Sequence, residues 1–387
     1  MACSMSPTGQ VKAGQVKDAQ CSSECSTADT LSPCEEEWES PSEDLDTSAP
    51  ATAPACPRPQ PPVLAELVDV RRWEPGRFRA ERTLQEAPRN HGRVLEVLDV
   101  LRGGRFAVKE MPRRWACASH AHFARQRPRE TEQPWVDIGC LAFLSAAAYP
   151  YACALEGVYR DEDSLRVVME LASEGDIFVW ASACGEEPGP GREELCRPVA
   201  RQILDAVRWL HDLSIVHRDL SAENVLLSRR PRDGVLHIQL IDFAMATTER
   251  YATASEWGKP SYQAPEAHSG RVIDGFLLDT FAIGVMLYGL LVQEYPWIST
   301  QPGKCRAFEC FQRRGFRELV QRRKRFQRQR SVLDCLSPPL LQLLEGLLAL
   351  DPAERLTLGE VAGFENGEHG SVWLEPWVQG EWLAPHA

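Results

Sequence analysis

The chain has 387 residues, of which 43% are hydrophobic and 25% charged, so it can bury the core of one large two-lobed domain or of two ordinary ones. Its formal net charge of -12 argues against nonspecific nucleic-acid binding, and no nucleic-acid partner is expected. The thirteen cysteines do not predict a disulfide framework, because their number is odd and no N-terminal stretch has the pattern of a secretory signal. Reduced thiols and a cytoplasmic location are therefore expected, with the nucleus as the alternative location.

Residues 1–62 form an acidic segment rich in Ser, Thr and Pro, with ten acidic and three basic residues. Such a composition buries too little apolar area to offset the entropy lost on ordering, so disorder is predicted, followed by a linker over 63–76. The stretch 34–46 combines acids with serines and Trp38. It fits a docking or phosphorylation segment, although a solvated tail is the simpler interpretation.

The next part of the chain has the patterns of strands and then of helices. Apolar residues over 94–100, a Gly-Gly turn and the segment 105–109 predict a β-hairpin. Another apolar strand is predicted around 167–169, and after about residue 195 apolar residues recur at helical spacing. The sequence therefore predicts an α+β fold, with a small β-rich lobe followed by a larger helical lobe.

One apolar run, 275–292, is long enough to resemble a membrane span. It contains Asp279, however, and no basic cluster lies immediately beside it. A buried core helix is the expected structure, and no membrane span is predicted.

Four polar residues have the types and spacing that phosphoryl transfer requires. That reaction needs a carboxylate to accept a hydroxyl proton and oxygen ligands to hold Mg²⁺ against the phosphates. In the segment HRDLSAENVLL, Asp219 suits the first task and Asn224 the second, together with Asp242 in the following IDFA. Lys109, at the end of an apolar strand, can pair with the α and β phosphates of a nucleotide.

The order of these residues resembles that of the eukaryotic protein-kinase family. The matching motifs are FAVK (106–109), HRDLSAEN (217–224), DFA in place of DFG (242–244) and APE (264–266). The resemblance implies a bilobal kinase fold, ATP and Mg²⁺ as cofactors, and a protein substrate.

The resemblance covers about residues 77–378. It implies an N-lobe over about 77–170, a C-lobe over about 171–378 and a short tail over 379–387. The sequence does not indicate the oligomeric state.

The same resemblance implies roles for further positions. Met169, Glu170 and Ala172 would form the hinge beside adenine, and Asp176 would face the ribose. Asp279 would tie the central helix to the catalytic loop. The remaining implied positions are Gly92, Val94, Ala107 and Leu226 around the nucleotide, and Glu266 with Arg355 as a structural ion pair.

Two motifs depart from the family pattern near the phosphates. In the glycine-rich loop, the three glycine positions become Ala87, Arg89 and Gly92, and side chains there impede the approach of backbone amides to phosphates. Ala244 replaces the glycine of DFG, which limits positive φ but leaves the metal ligand Asp242 intact.

The helix Glu that should pair with Lys109 is replaced as well. The sequence ETEQPWVDIGCLAFL offers Asp137 as the expected partner, one methylene shorter than Glu, with Glu132 as a fallback.

Two loops near the predicted base exchange a hydroxyl and an ammonium group. Relatives of the Ser/Thr type carry Lys two residues after the catalytic Asp and Thr in a GTPxYxAPE loop, whereas this chain has Ser221 and Lys259. We interpret this as a relocated cation, with Lys259 acting in place of the missing catalytic-loop Lys and Ser221 as its hydroxyl partner. Independent loss of both residues is the alternative.

Three features have weaker functional interpretations. Ser255 resembles the activating phosphosite, with Arg218 as its cationic partner, although surface loops are commonly rich in Ser and Thr. The basic run 313–330 fits either recruitment of acidic segments or a solvated helical face. Trp373, Trp377 and Trp382 are expected to pack on the large lobe.

The leading interpretation is a Ser/Thr protein kinase. A pseudokinase, with the same fold acting as a scaffold or allosteric partner, is the alternative, because the glycine loop is altered and the helix Glu is absent. A small-molecule kinase is less favoured, because the APE motif and the helix after it resemble those of kinases that act on proteins.

Overall fold

The computed structural model describes residues 68–87, 91–230, 234–255, 257–324, 330–361 and 369–380. Every structural statement below concerns these residues. The predicted disordered tail over 1–62 and Arg89 of the altered glycine loop lie outside them.

The N-terminal lobe is built on a six-stranded sheet. Its strands, in chain order, are β1 (Val70–Arg72), β2 (Phe78–Ala87), β3 (Gly92–Asp99), β4 (Arg105–Pro112), β5 (Leu155–Arg160) and β6 (Ser164–Glu170). Across the sheet the order is β1-β5-β6-β4-β3-β2, with β1 parallel to β5 and the other neighbours antiparallel. Val94 of β3 lies opposite Lys109 of β4, so the predicted hairpin is confirmed, and β6 is the strand predicted around 167–169.

Strand β1 lies inside the segment that the sequence assigned to a linker, 63–76. Val70 pairs with Val158 of β5, and the backbone N–H of Trp73 donates to the carbonyl of Arg160 at 2.8 Å. The Trp73 ring stacks on Phe78, with ring centroids 5.2 Å apart. Three residues are too few to show a period-two pattern, so this edge strand becomes visible only through its partner.

Ten α-helices occur in the described residues, besides short 3-10 helices. Those of the N-terminal lobe are α1 (Arg113–Ala116), α2 (His120–Gln126) and α3 (Pro134–Ala146). Those of the C-terminal lobe are α4 (Ile177–Ala183), α5 (Pro190–Asp212), α6 (Gly275–Val292), α7 (Arg306–Arg314), α8 (Phe316–Arg322), α9 (Pro338–Leu347) and α10 (Pro376–Gln379). The helical pattern predicted after residue 195 corresponds to α5.

Two small sheets complete the C-terminal lobe. The first joins β7 (Gly175–Asp176), β8 (Val225–Arg229) and β9 (Leu236–Leu240), and the second pairs β10 (Tyr251–Thr253) with β11 (Val272–Asp274). In the first sheet, β8 begins directly after the predicted metal ligand Asn224, and β9 ends two residues before Asp242. The second sheet lies in the segment that follows Asp242.

Helix α6 is the central helix of the C-terminal lobe. The carboxylate of Asp274 caps its first turn by accepting the N–H of Phe276 at 3.0 Å, and Gln293 ends it in the left-handed conformation. The helix is apolar on all sides, which requires burial on all sides, and it packs against α5 and α9. Of the helices described, it alone has the length and composition of a membrane span, and 94% of it is buried inside the protein, as expected of a core helix.

The C-terminal segment is held by α10. Trp377 is fully buried, and its indole N–H donates to Glu193 of α5 at 2.9 Å. Trp373 is half-buried and packs against the core, as predicted, whereas Trp382 lies outside the described residues. Gln379 belongs to α10, although the sequence placed it in the tail.

The basic run over 313–330 lies on α7, α8 and the segment after them, as far as it is described. Its exposed arginines pair with acids of these helices and of α9, for example Arg322 with Glu318 at 2.5 Å and Arg317 with Glu345 at 3.4 Å. Exposed pairs of this kind contribute little stability. Their arrangement is that of a solvated helical face.

Candidate active site

Lys109 projects from β4 toward two carboxylates. Its Nζ lies 2.6 Å from Oδ2 of Asp137 on α3 and 3.3 Å from Oδ1 of Asp242. Burial lowers the pKa of Lys109, but the two carboxylates outweigh burial and raise it well above its ordinary value. Lys109 is therefore protonated throughout the physiological pH range, and its ammonium group is available for an ionic contact with a nucleotide phosphate.

Asp137 reaches Lys109 because α3 lies close to the sheet and to the DFA segment. Its second oxygen, Oδ1, accepts the backbone N–H of Phe243 at 2.9 Å. Just before the helix, the N–H of Gln133 donates to the carbonyl of Ala244 at 2.9 Å. The shorter Asp side chain thus makes both contacts, and Glu132, the fallback, is not the partner of Lys109.

The catalytic-loop carboxylate, Asp219, is buried beside Asn224. The amide nitrogen of Asn224 donates to the backbone carbonyl of Asp219 at 2.7 Å and to its Oδ2 at 3.2 Å. Oδ1 of Asp219 is buried and has no hydrogen-bond partner in the described part of the chain. Burial raises the pKa of Asp219, while His217 and Lys259 act in the opposite direction. A partly desolvated carboxylate suits a general base.

Asp279 fixes the backbone of the catalytic loop from inside α6. Its Oδ2 accepts the N–H of His217 at 2.7 Å, and its Oδ1 accepts that of Arg218 at 2.9 Å. Arg218 has a φ of 66°, a conformation that few side chains adopt. The two hydrogen bonds hold this turn and explain why a charge lies in an apolar helix.

The residues predicted to hold Mg²⁺ offer oxygen atoms. Asn224 uses its nitrogen on Asp219, so its amide oxygen is left as a ligand. Attraction to Lys109 holds the pKa of Asp242 below its ordinary value, against the effect of burial, so this carboxylate is ionised. Mg²⁺ is commonly held by one or two protein oxygens, substrate phosphates and water, and this pair fits that pattern. Within the described ranges, no three His, Cys, Asp or Glu side chains form a metal cluster of their own.

Lys259 reaches the catalytic loop from the segment before APE. Its Nζ lies 2.7 Å from the Ser221 hydroxyl and 2.9 Å from the Glu223 carboxylate. The preceding residue, Gly258, has a φ of +75°, and a Cβ there would lie 2.9 Å from the Arg218 carbonyl oxygen. A glycine is therefore required for the two loops to meet. The sequence indicated Lys259 and Ser221 but not Glu223.

The predicted nucleotide-binding residues lie on strands of both lobes or directly beside them. Ala107 lies opposite Met169 in the sheet, and Leu226 of β8 lies opposite Asp176 of β7. Asp176 also caps α4 by accepting the N–H of Val179 at 2.8 Å. Of the other predicted positions, Gly92 and Val94 lie on β3. Glu170 is the last residue of β6, and Ala172 follows it by two residues.

The predicted structural ion pair is formed deep in the C-terminal lobe. Arg355 is fully buried and pairs in bidentate fashion with Glu266, with N–O distances of 2.5 and 3.0 Å. Its remaining donors reach the carbonyls of Leu277 and Ala349. The pair ties the APE segment to the start of α6.

Ser255 is exposed and lines a small cleft together with Arg218. In this structure the Arg218 guanidinium lies over the ring of Trp257, 4.0 Å from its centroid.

A second contact that sequence patterns did not reveal joins His211 of α5 to Glu360, with 2.7 Å between Nδ1 and Oε1. Both contacts join segments that no motif connects, so only packing reveals them.

Comparison with known proteins agrees with this geometry. The model of the family described as "Protein kinase domain" matches residues 90–364. A curated relative, "CBL-interacting protein kinase 1" of Oryza sativa subsp. japonica, is 28% identical over 295 residues, which cover 75% of this chain and 56% of that protein. The chain thus spans little more than half the length of this relative. Because the family match extends over well more than half of its residues, the chain belongs to the protein kinase family.

Proposed function

We propose that this protein is an ATP- and Mg²⁺-dependent kinase that phosphorylates Ser or Thr hydroxyls of protein substrates. The observation that carries the proposal is the 2.7 Å contact between Lys259 Nζ and the Ser221 hydroxyl. It puts a cation beside the proposed base from a different loop, so the charge has been relocated rather than lost. Electrostatic stabilisation depends on where a charge lies and not on which segment bears it.

Each side chain has a distinct task in the proposed reaction. Asp219 accepts the proton of the substrate hydroxyl. Lys109, held by Asp137, binds and orients the nucleotide phosphates. Asn224 and Asp242 would hold Mg²⁺, which when bound neutralises charge on the phosphates.

The position of Lys259 supports its electrostatic role. Its charge lowers the pKa of both Asp219 and Asp242, so its field extends to the base and to the metal ligand. Its side chain is 27% exposed, and it can therefore interact with a substrate phosphoryl group while Ser221 and Glu223 hold it. These contacts favour catalysis over the pseudokinase alternative, in which nothing would require a retained cation.

The test is ATP·Mg²⁺ turnover on a generic protein substrate. Wild-type activity that disappears in Asp219→Asn would support a working kinase. Lys259→Thr should lower kcat at least about tenfold, equivalent to ~1.4 kcal/mol, because it removes the cation. The double variant Ser221→Lys with Lys259→Thr should recover much of that loss, since it returns the cation to the catalytic loop.

Three results would count against this function or its mechanism. Negligible turnover in both wild-type protein and Asp219→Asn would favour the pseudokinase. Unchanged turnover in Lys259→Thr would contradict the relocated cation. A double variant no better than Lys259→Thr, with the same melting temperature, would show that position of the charge is not what matters.

A further inference from the structure

Arg218 carries a partly buried charge that pairs with no carboxylate in the described part of the chain. Within the described ranges its guanidinium has no ion-pair partner, and its Nε is buried without a hydrogen bond. Burial lowers the pKa of Arg218, and Asp279 and Glu249 only partly oppose this effect. Arg218 directly precedes Asp219, so a shift in its position would also move the proposed base. A group that stabilises the Arg218 cation therefore contributes to the geometry of the active site.

Trp257 supplies such a group. The Arg218 guanidinium carbon lies 4.0 Å from the centroid of the Trp257 ring, well inside the roughly 6 Å range of cation–π attraction, which is strongest for tryptophan. The attraction increases when water is excluded, as at this half-buried position. The aromatic face thus takes up a charge for which the described chain provides no anion.

The segment that presents Trp257 is fixed on both sides by contacts that involve no phosphate. Before it, the N–H of Ala254 donates to the Arg271 carbonyl at 2.6 Å, and β10 pairs with β11. The N–H of Trp257 itself donates to the Ser255 carbonyl at 3.0 Å. After it, Gly258 packs directly against the Arg218 backbone. The ring is therefore held in place on Arg218 while Ser255 is unmodified.

The rest of the active site is assembled in the same unmodified state. Lys109 already contacts Asp137 and Asp242, and the start of α3 is bonded to Ala244 through Gln133. These contacts are therefore present without a phosphate on Ser255.

We propose that Trp257 is a positioning residue that holds Arg218, and through it Asp219, so that activity does not require phosphate on Ser255. This inference rests on the proposed kinase function. It replaces the expectation that Arg218 depends on a phosphoserine with a contact present in the unmodified chain.

The test compares variants of the full chain after phosphatase treatment, with mass spectrometry confirming that Ser255 is unmodified. Ser255→Ala should retain turnover within about threefold of wild type. Trp257→Leu should lose about tenfold or more in kcat, with KM for ATP little changed, because the base is displaced but the nucleotide site is intact. Trp257→Phe should recover most of the loss, since it keeps an aromatic face. Trp209→Leu, which removes a more exposed tryptophan from α5, is the control and should resemble wild type.

Different outcomes of this experiment would contradict the proposed kinase function and the role of Trp257. Inactive wild-type protein, with or without phosphate, contradicts kinase activity itself. An active wild type with equal turnover in Trp257→Leu, or one that works only after Ser255 is phosphorylated, overturns the role of Trp257. If Trp257→Leu does not fold, the dephosphorylated wild type and Trp257→Phe decide the question. Turnover in both supports the inference, and turnover in neither overturns it.

Discussion

A buried histidine should make the stability of this kinase domain depend on pH. His211 lies on α5 between two carboxylates, with Nε2 3.2 Å from Asp279 Oδ2 and Nδ1 2.7 Å from Glu360 Oε1. Its ring stacks on Phe276 at 4.1 Å, and Arg250 covers that same Phe276 ring at 4.4 Å. Burial lowers the pKa of His211, but the two carboxylates raise it to about 8.

The direction of the effect follows from the two states. The folded pKa of about 8 exceeds the ordinary value of 6.5, so the folded chain binds the proton more tightly than the unfolded chain. The resulting stability is complete below pH 6.5 and is lost as the pH rises through 8. The difference corresponds to roughly 2 kcal/mol in the free energy of unfolding.

Urea unfolding of wild type and His211→Gln at pH 6 and pH 9 tests this prediction. Wild type should lose about 2 kcal/mol more between the two pH values than the variant, which has no proton to lose. Glu360→Gln should reduce the same pH dependence, because it removes one of the two anions that raise the pKa. Identical pH dependence in wild type and His211→Gln would refute the reasoning.

Three further changes have expected outcomes. Asp137→Asn removes the charge that holds Lys109 and should lower kcat/KM about tenfold or more in the ATP·Mg²⁺ turnover assay on a generic protein substrate. Unchanged kinetics would contradict the role of the pair. Arg355→Met leaves the largely buried Glu266 carboxylate without its arginine partner and should lower the free energy of unfolding in urea by roughly 3–5 kcal/mol. A loss below about 1 kcal/mol would show that the site relaxes. In Gly258→Ala the alanine must adopt a φ of +75°, and its Cβ would lie 2.9 Å from the Arg218 carbonyl oxygen. Both the melting temperature and kcat should therefore fall. Wild-type values for both would argue against the close packing of the two loops.

The kinase fold and a set of candidate catalytic residues could be predicted from the sequence. Asp219, Asn224 and Asp242 are predicted as base and metal ligands because phosphoryl transfer requires particular residue types at short, fixed spacings. These three roles stay predictions. The β3–β4 hairpin and the buried helix α6 were recognised because alternation and apolar runs are properties of neighbouring residues. The family match over 90–364 agrees with these inferences. The domain limits at 77 and 378 stay predictions.

The contacts between distant segments were decided by the tertiary structure. Lys259 and Ser221 are 38 residues apart, and the sequence could suggest that they meet but could not give the 2.7 Å contact or the added carboxylate of Glu223. The contact of Trp257 with Arg218 was not indicated by any pattern. Neither was that of His211 with Glu360, 149 residues away. Periodicity and motifs depend on residues that are close together in the chain. The partner of a buried charge depends instead on which distant segments the fold packs against it.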